Sequence, residues 1–358
     1  MSGGFWRGRR VFLTGHTGFK GGWLSLWLQQ LGADVTGYAL APPEPETLFD
    51  VARVAEGMDS QIGDVRDLPA LSHALDAAAP EIVFHLAAQP LVRRGYQDPV
   101  ETYGTNVMGT VHLLEAVRRA RSVRAVVVVT SDKCYENREW VWGYRETDAL
   151  GGRDPYSSSK ACTELVCAAY RASFFTADGD GPATAALATV RAGNVIGGGD
   201  RAADRLVPDT LAAFAASRAV RIRHPHAVRP WQHVLDPLAG YLRLARQLFE
   251  QGHPWAQAWN FGPDTHNVRT VKHIVERLAE LWGPGSRWEA DIAAHPHEAT
   301  QLTLDSSRSR VDLGWQPRID LEAALRMTVE WERARLAGSD MRLMTLKQIT
   351  DRPWHTDP

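Results

Sequence analysis

Residues 10–32 read RVFLTGHTGFKGGWLSLWLQQLG. Val11 to Leu13 is an apolar run of strand length, and Trp23, Leu24, Trp27 and Leu28 recur at helical spacing. Between them stand Gly15, Gly18 and Gly21. Strand, glycine turn and helix together make a pyrophosphate cradle: the turn is tight, the backbone can approach the phosphates, and free amides at the helix N-terminus face the negative charge. The first glycine spacing is one residue longer than in GxGxxG, and a plain glycine-rich corner has a similar look. Placement on the first strand of the chain favours the dinucleotide reading.

Working outward, short β-branched runs alternate with longer helical ones. ADVTGYAL, PEIVFHLA and RAVVVVTS read as further strands. LPALSHALDAAA, PVETYGTNVMGTVHLLEAVRRA and DPYSSSKACTELVCAAYRASFF read as helices, the last capped by Asp154 with Pro155 at its first position. TAALATVRAGNVIGGGD gives one more strand and a glycine-rich turn, while DPLAGYLRLARQLFEQ and AWNFG return to the main sheet as helix and strand. The pattern predicts an α/β fold, a Rossmann-type doubly wound parallel sheet with a smaller, interleaved C-terminal substrate-binding domain. The expected division is 1–190 plus about 228–262 for the dinucleotide, and about 191–227 plus 263–358 for the substrate. After Asp200, RHPHAVRPWQH and AAHPHEATQ suit loops lining a pocket.

Composition narrows the function. With 40 basic and 42 acidic side chains the net charge is -2, so nothing draws the chain in bulk to nucleic acid or an anionic membrane. Three cysteines without metal-ligand spacing, no signal peptide and no long apolar span point to a cytoplasmic protein without a disulfide framework, a metal or a membrane anchor.

Tyr156 and Lys160 in YSSSK lie four apart, on one face of the predicted helix. YxxxK alone is common, but this helix follows VVVVTSDKCY, whose strand ends at the ligand-binding edge of a doubly wound sheet beside Ser131, Asp132 and Lys133. An ammonium close to a phenol lowers the phenol's pKa and makes it a usable base for an alcohol. Asp64, in GDVRD after a third strand, is a candidate acceptor for an adenine amino group. No acidic residue ends the second strand to bind ribose. His85 reads as a packed histidine.

TGHTGFKG, GDVRD, FHLAAQ, TNVMGT, TSDKCY, YSSSK, VRAGNVIGGGD and NFGP occur in an order that resembles the extended short-chain dehydrogenases/reductases over essentially the whole chain. Within them the sugar-nucleotide 4,6-dehydratases carry Thr-Asp-Glu-Val-Tyr where this chain has Ser131, Asp132, Lys133, Cys134 and Tyr135. The lysine departure, with TGYALAPP and RPWQHVLDP, is similar to the branch acting on CDP-glucose. The resemblance implies a recycled NAD, a CDP-glucose substrate, entry to dideoxysugar synthesis and a homodimer or homotetramer. It also implies roles for single residues. Tyr156 and Lys160 serve oxidation at C4, Ser131 the C4 oxygen, Asp132 the acid of elimination, and Lys133 its base or the residue that places it. The cofactor is expected on Gly15, His16, Thr17, Gly18, Phe19, Lys20 and Gly21, on Asp64 and Val65, on Leu86, Ala87 and Ala88, on Asn106 and Thr130, and on Tyr156 and Lys160. Gln89, Asn194, Arg205, Arg229, Trp142 and His297 are the substrate-binding candidates, and Trp231 is a further tryptophan expected near ligand. A 4-epimerase would keep Tyr156 and Lys160 without needing Asp132 and Lys133, and a nucleotide-sensing protein would need none of them.

No arginine follows the second strand to meet a 2′-phosphate, so NAD should bind far more tightly than NADP. Titration calorimetry with both dinucleotides checks this. Equal affinities would show that Tyr38 and its neighbours accept the phosphate.

Overall fold

The computed structural model describes residues 4–42, 46–176, 185–264, 267–291 and 301–351. In chain order the first half runs β1 (Arg10–Thr14), α1 (Phe19–Gln30), β2 (Asp34–Ala39), α2 (Leu48–Val51), β3 (Asp59–Ile62), α3 (Leu68–Ala78), β4 (Ile82–His85), α4 (Val92–Gln97), α5 (Pro99–Tyr103), a π-helical turn (Gly104–Met108), α6 (Gly109–Arg119), β5 (Ala125–Val129), a 3₁₀ turn (Asp132–Cys134) and α7 (Pro155–Ser173). The second half runs β6 (Ala186–Ala192), β7 (Asn194–Ile196), α8 (Leu206–Ala215), β8 (Val220–Ile222), β9 (Val228–His233), α9 (Leu235–Gln251), β10 (Ala258–Phe261), β11 (Val268–Thr270), α10 (Val271–Trp282), β12 (Trp288–Ala290), α11 (Ser307–Val311), α12 (Leu321–Leu336) and α13 (Met341–Thr350).

Seven strands form one parallel sheet in the order β10-β6-β5-β4-β1-β2-β3. Both of its faces are covered, which is why AVVVV of β5 is apolar throughout and wholly buried. Val126 and Val128 face one core with Phe12, Val83 and Leu187, while Val127 and Val129 face the other with Leu13, Phe84 and Trp259. Each fully buried valine is worth roughly 1.5–3 kcal/mol. From β1 the chain winds outward to β3, then crosses back to β4. The strand order reverses between β1 and β4, and doubly wound sheets bind ligands outside the carboxyl ends of the strands at that point.

Three sequence expectations change. The strand expected across residues 184–200 is two, because the chain leaves the main sheet at Gly193 and β7 pairs with β9 instead. A side-chain carbon at Gly193 would come within 2.8 Å of Pro230 Cγ and 3.2 Å of Asp132 Oδ2. Residues 228–233, expected as loop, are β9, the middle strand of a three-stranded sheet with β7 and β11. Trp231, expected near ligand, is buried in that strand, its indole N–H donating to the Arg269 carbonyl at 3.1 Å. AAHPHEATQ lies, except for Gln301, outside the described residues. Among those described, no helix is long and apolar enough to cross a membrane.

α7 starts where the sequence places it. The Asp154 carboxylate accepts from the Ser157 amide at 2.9 Å and the Ser157 hydroxyl at 2.5 Å, with Pro155 in the first turn. Tyr156 stands inside this cap. Asp154→Ala should therefore cost about 1 kcal/mol of stability, read from urea denaturation, and Asp154→Asn should keep most of it. An alanine variant as stable as wild type would mean the cap contributes nothing.

Candidate active site

The glycine turn is built for close approach. Gly15 has φ +81°, and a side-chain carbon at Gly21 would lie 2.0 Å from the Gly15 carbonyl oxygen. Gly18 at the N-cap brings no side chain, and the first turn of α1 holds no acidic residue, so the helix start is left to an anion. These residues fit a dinucleotide pyrophosphate. Around them, the Thr17 hydroxyl donates to Leu40 O at 2.9 Å and the Phe19 ring lies against Gly197. The His16 ring is turned inward, on Gly37 and Phe49, with Nε2 2.8 Å from Ser60 Oγ. Burial lowers its pKa to about 4. Asp64 is gripped by Arg66, whose hydrogen bonds hold the carboxyl below its ordinary range, and Val65 is buried beside Gly109.

Thr14 ties β1 to β4. Its hydroxyl oxygen accepts from the Leu86 and Ala87 amides, both at 3.2 Å, and donates to His85 Nδ1 at 2.7 Å. The His85 proton therefore sits on Nε2, 3.2 Å from Thr110 Oγ1, which itself donates to Asn106 O. Burial lowers the His85 pKa to about 3, so the ring is a neutral packing element, as the sequence reading has it.

Asn106 sits in the π-helical turn. Its side-chain amide donates to Gln89 O at 3.0 Å and Ser159 Oγ at 2.8 Å, and its oxygen accepts from the Gln89 amide at 2.8 Å. Ser159 donates in turn to Tyr156 O. The Gln89 carboxamide is engaged within the fold, by Thr102 and by the Leu91 amide.

Beyond β5 the chain folds into the 3₁₀ turn. Ser131 caps it, accepting from the Lys133 amide at 3.2 Å and donating to Asp132 Oδ1 at 3.0 Å. Asp132 Oδ2 is buried and has no hydrogen-bond partner among the described residues. Burial raises the pKa of Asp132, against the pull of Lys133, the Ser131 bond, Arg229 and Lys20. This favours a neutral, proton-bearing carboxyl. The Tyr156 phenol is pushed up to about 12, first by burial, with a Ser131 hydrogen bond opposing.

Here the structure departs from the expected ammonium–phenol contact. Lys160 is one turn deeper along α7 and donates to Val129 O at 3.2 Å. Burial lowers its pKa to about 8. Lys20, from the first turn of α1, is likewise brought down to about 8, by burial and then by the charges of Arg205 and Lys160.

The cleft thus gathers Ser131, Asp132, Lys133, Tyr156 and Lys160 with Lys20, Arg205 and Arg229. Arg205 pairs with Asp200 at 2.8 Å, and its charge bears on Tyr156. Asp200 was missed in the sequence, although an acidic residue closing GGGD was a visible signal. Arg229, on β9, donates to Val228 O at 2.9 Å. Asn194 opens β7 opposite Trp231. Ala88 is half-buried in the segment after β4, and Thr130 leads into the 3₁₀ turn, its hydroxyl donating to Glu164. Trp142 stands on an exposed loop with its ring 5.3 Å from that of Trp140, and His297 lies outside the described residues.

Residues 12–328 match the family model described as GDP-mannose 4,6 dehydratase. The chain is 52% identical over 347 residues to a CDP-glucose 4,6-dehydratase of Salmonella typhimurium, a match covering 97% of each protein. MoeE5, solved with UDP-glucose and NAD, superposes with a TM-score of 0.76 at 26% identity, over 91% of this chain and 99% of its own. A UDP-glucose 4-epimerase of Thermotoga maritima, solved with UDP-glucose, shares the fold, with a TM-score of 0.77 at 22% identity over 91% and 99%.

The buried lysines make stability depend on pH. Lys160 falls from 10.5 unfolded to about 8 folded. Between those values the unfolded chain holds a proton that the folded chain has released, so the destabilisation present below pH 8 is relieved as pH rises. The slope is up to about 1.4 kcal/mol per pH unit for one such group. Lys160→Met should be the more stable protein at neutral pH and lose that advantage towards pH 10.5, read from urea denaturation at a series of pH values. Parallel curves for the two proteins would contradict the burial of a charged Lys160.

Proposed function

Because the chain belongs to the GDP-mannose 4,6-dehydratase family, within the extended short-chain dehydrogenases/reductases, we propose that it converts CDP-glucose to CDP-4-dehydro-6-deoxyglucose and water. The observation that carries the reading is the Asp132 carboxyl, buried and with an unpartnered oxygen, on the same turn as Lys133 and within electrostatic reach of Tyr156. An alcohol oxidation alone has no use for it. The 52% identity to the Salmonella enzyme supports cytidine as the base.

When bound, NAD would supply a reversible hydride acceptor for oxidation at C4 and reduction at C6. The glycine turn would hold its pyrophosphate, Asp64 and Val65 its adenosine end, and residues 86–88 with Asn106 would line the rest of its cleft. Tyr156 removes the proton of the C4 hydroxyl, and Ser131 hydrogen-bonds the C4 oxygen. Arg205, whose charge bears on Tyr156, supplies positive charge that favours the phenolate, with Lys160 one turn deeper along α7. A carbonyl at C4 acidifies the hydrogen at C5. Lys133 takes that proton or places the group that does, neutral Asp132 gives its own proton to the departing C6 oxygen, which leaves as water, and C5 takes a proton back when hydride is returned to C6. Asn194 and the fork-shaped donors of Arg205 and Arg229 meet the substrate pyrophosphate. The dinucleotide occupies 1–190 plus about 228–262, and the nucleotide sugar the remainder. Exposed Val100, Met108 and Leu165 offer an apolar face to a second copy in a cytoplasmic homo-oligomer.

Tyr156→Phe should lower turnover by ~10²–10⁴-fold, with no reduced-cofactor signal. Lys133→Ala should give the opposite signature: reduced-cofactor absorbance rises in a single turnover while exchange of the C5 hydrogen with deuterated water stops. Near-wild-type turnover in the first variant, or wild-type exchange in the second, would remove that residue from its role.

A further inference from the structure

Glu164 and Arg191 form an ion pair almost wholly out of water, with side chains 1% and 3% exposed. The chemistry above uses neither. Two buried charges are tolerated only if the remaining lone pairs and protons find partners, and here the partners lie around one short segment. Glu164 Oε1 accepts from Arg191 Nε at 2.8 Å and from the Thr130 hydroxyl at 2.5 Å. Glu164 Oε2 accepts from Arg191 Nη2 at 2.9 Å and the Thr189 hydroxyl at 2.6 Å. Arg191 Nη1 donates to the Tyr135 hydroxyl at 2.7 Å and to Glu146 O at 3.3 Å. The Tyr135 hydroxyl donates onward to Asn260 Oδ1 at 2.8 Å.

Thr130 and Tyr135 are the residues immediately before and after Ser131–Cys134. Both feet of the turn that carries Asp132 and Lys133 therefore stand on one ion pair. Glu164 belongs to α7, one turn beyond Lys160, so the pair refers that turn to the helix bearing Tyr156. Tyr156 and Lys160 are held by other means: the Asp154 cap, the Ser159–Asn106 link and Val129 O.

We propose that Glu164 and Arg191 are positioning residues for elimination, setting Asp132 and Lys133 against C6 and C5, while oxidation at C4, which has its base on α7 and draws on this turn only through the Ser131 hydroxyl, depends on them far less. This rests on the roles given to Asp132 and Lys133 above. A shift of about 1 Å in a reacting group costs on the order of 10²-fold, so loosening the turn should be felt as a rate and not as substrate affinity.

The test replaces both charges together, Glu164→Leu with Arg191→Met, because an apolar pair of similar volume removes the tethers without stranding a buried charge. With the complete enzyme, NAD and CDP-glucose, three quantities are followed: thermal unfolding, reduced-cofactor absorbance in a single turnover, and C5 hydrogen exchange by mass spectrometry. The expected result is an unfolding midpoint near wild type, a C4 oxidation rate within about threefold, and C5 exchange slowed by about tenfold or more with KM little changed. Tyr135→Phe, which keeps the ion pair and removes one foot, should show the same split on a smaller scale, and it carries the test if the double variant does not fold. Equal slowing of both steps, or elimination at the wild-type rate, overturns the proposal. Lys133→Ala is run beside them: if it too eliminates normally, the functional reading has failed, whereas a split there and none in the other variants sinks the positioning pair alone.

Discussion

The side chain of Asn106 holds the two halves of the cleft in one frame. Three hydrogen bonds join it to both backbone groups of Gln89 and to Ser159, and its own carbonyl accepts from Thr110 and Thr163. Segment 86–91 leaves β4 beside the glycine turn, whereas Ser159 belongs to the helix that carries Tyr156 and Lys160. A parallel sheet delivers these pieces to the same edge but does not fix their spacing. The widened π-helical turn lets a residue in the middle of a helical run reach both, and such turns recur at functional sites.

Water exclusion then sets the chemistry. The cleft has few countercharges per cation: Lys20, Lys160, Arg205 and Arg229 share it with Asp132 and Asp200. Excess positive charge suits a substrate with a pyrophosphate and an oxyanion forming at C4. The same burial raises the pKa of Asp132, the direction that suits an acid in the elimination. One cause, removal of water, thus brings two lysines down and one carboxyl up.

Much of this was legible in the sequence, for identifiable reasons. Strands buried on both faces must be apolar throughout, so VFL, IVF and AVVVV announce themselves, and caps such as Asp154-Pro155 mark a helix start. YSSSK and TSDKCY carry chemistry within a short span. What stayed hidden depended on contacts distant in sequence. DSQI of β3, a polar edge strand without a hydrophobic signature, is marked only by the GDVRD that follows it. Gly193 lies inside a run that reads as one strand, although Pro230 and Asp132 leave no room there for a side chain. RPWQH looked like a pocket loop because its strand pairs outside the main sheet. The Lys160 ammonium was expected at the phenol, but the strand-end carbonyl of Val129 claims it. Glu164 follows Lys160 by four residues, a spacing that could have flagged it, while its partner Arg191 comes from a strand 27 residues away.

In the proposed reaction one retained cofactor carries hydrogen from C4 to C6 of the same sugar, with elimination between. CDP-glucose bearing deuterium at C4 is turned over in ordinary water and the product read by mass spectrometry. The deuterium should appear at C6 of the same molecule, and unlabelled CDP-glucose turned over in the same mixture should acquire none of it. A product whose C6 hydrogens carry no deuterium, or a label shared between the two substrate pools, would contradict the account.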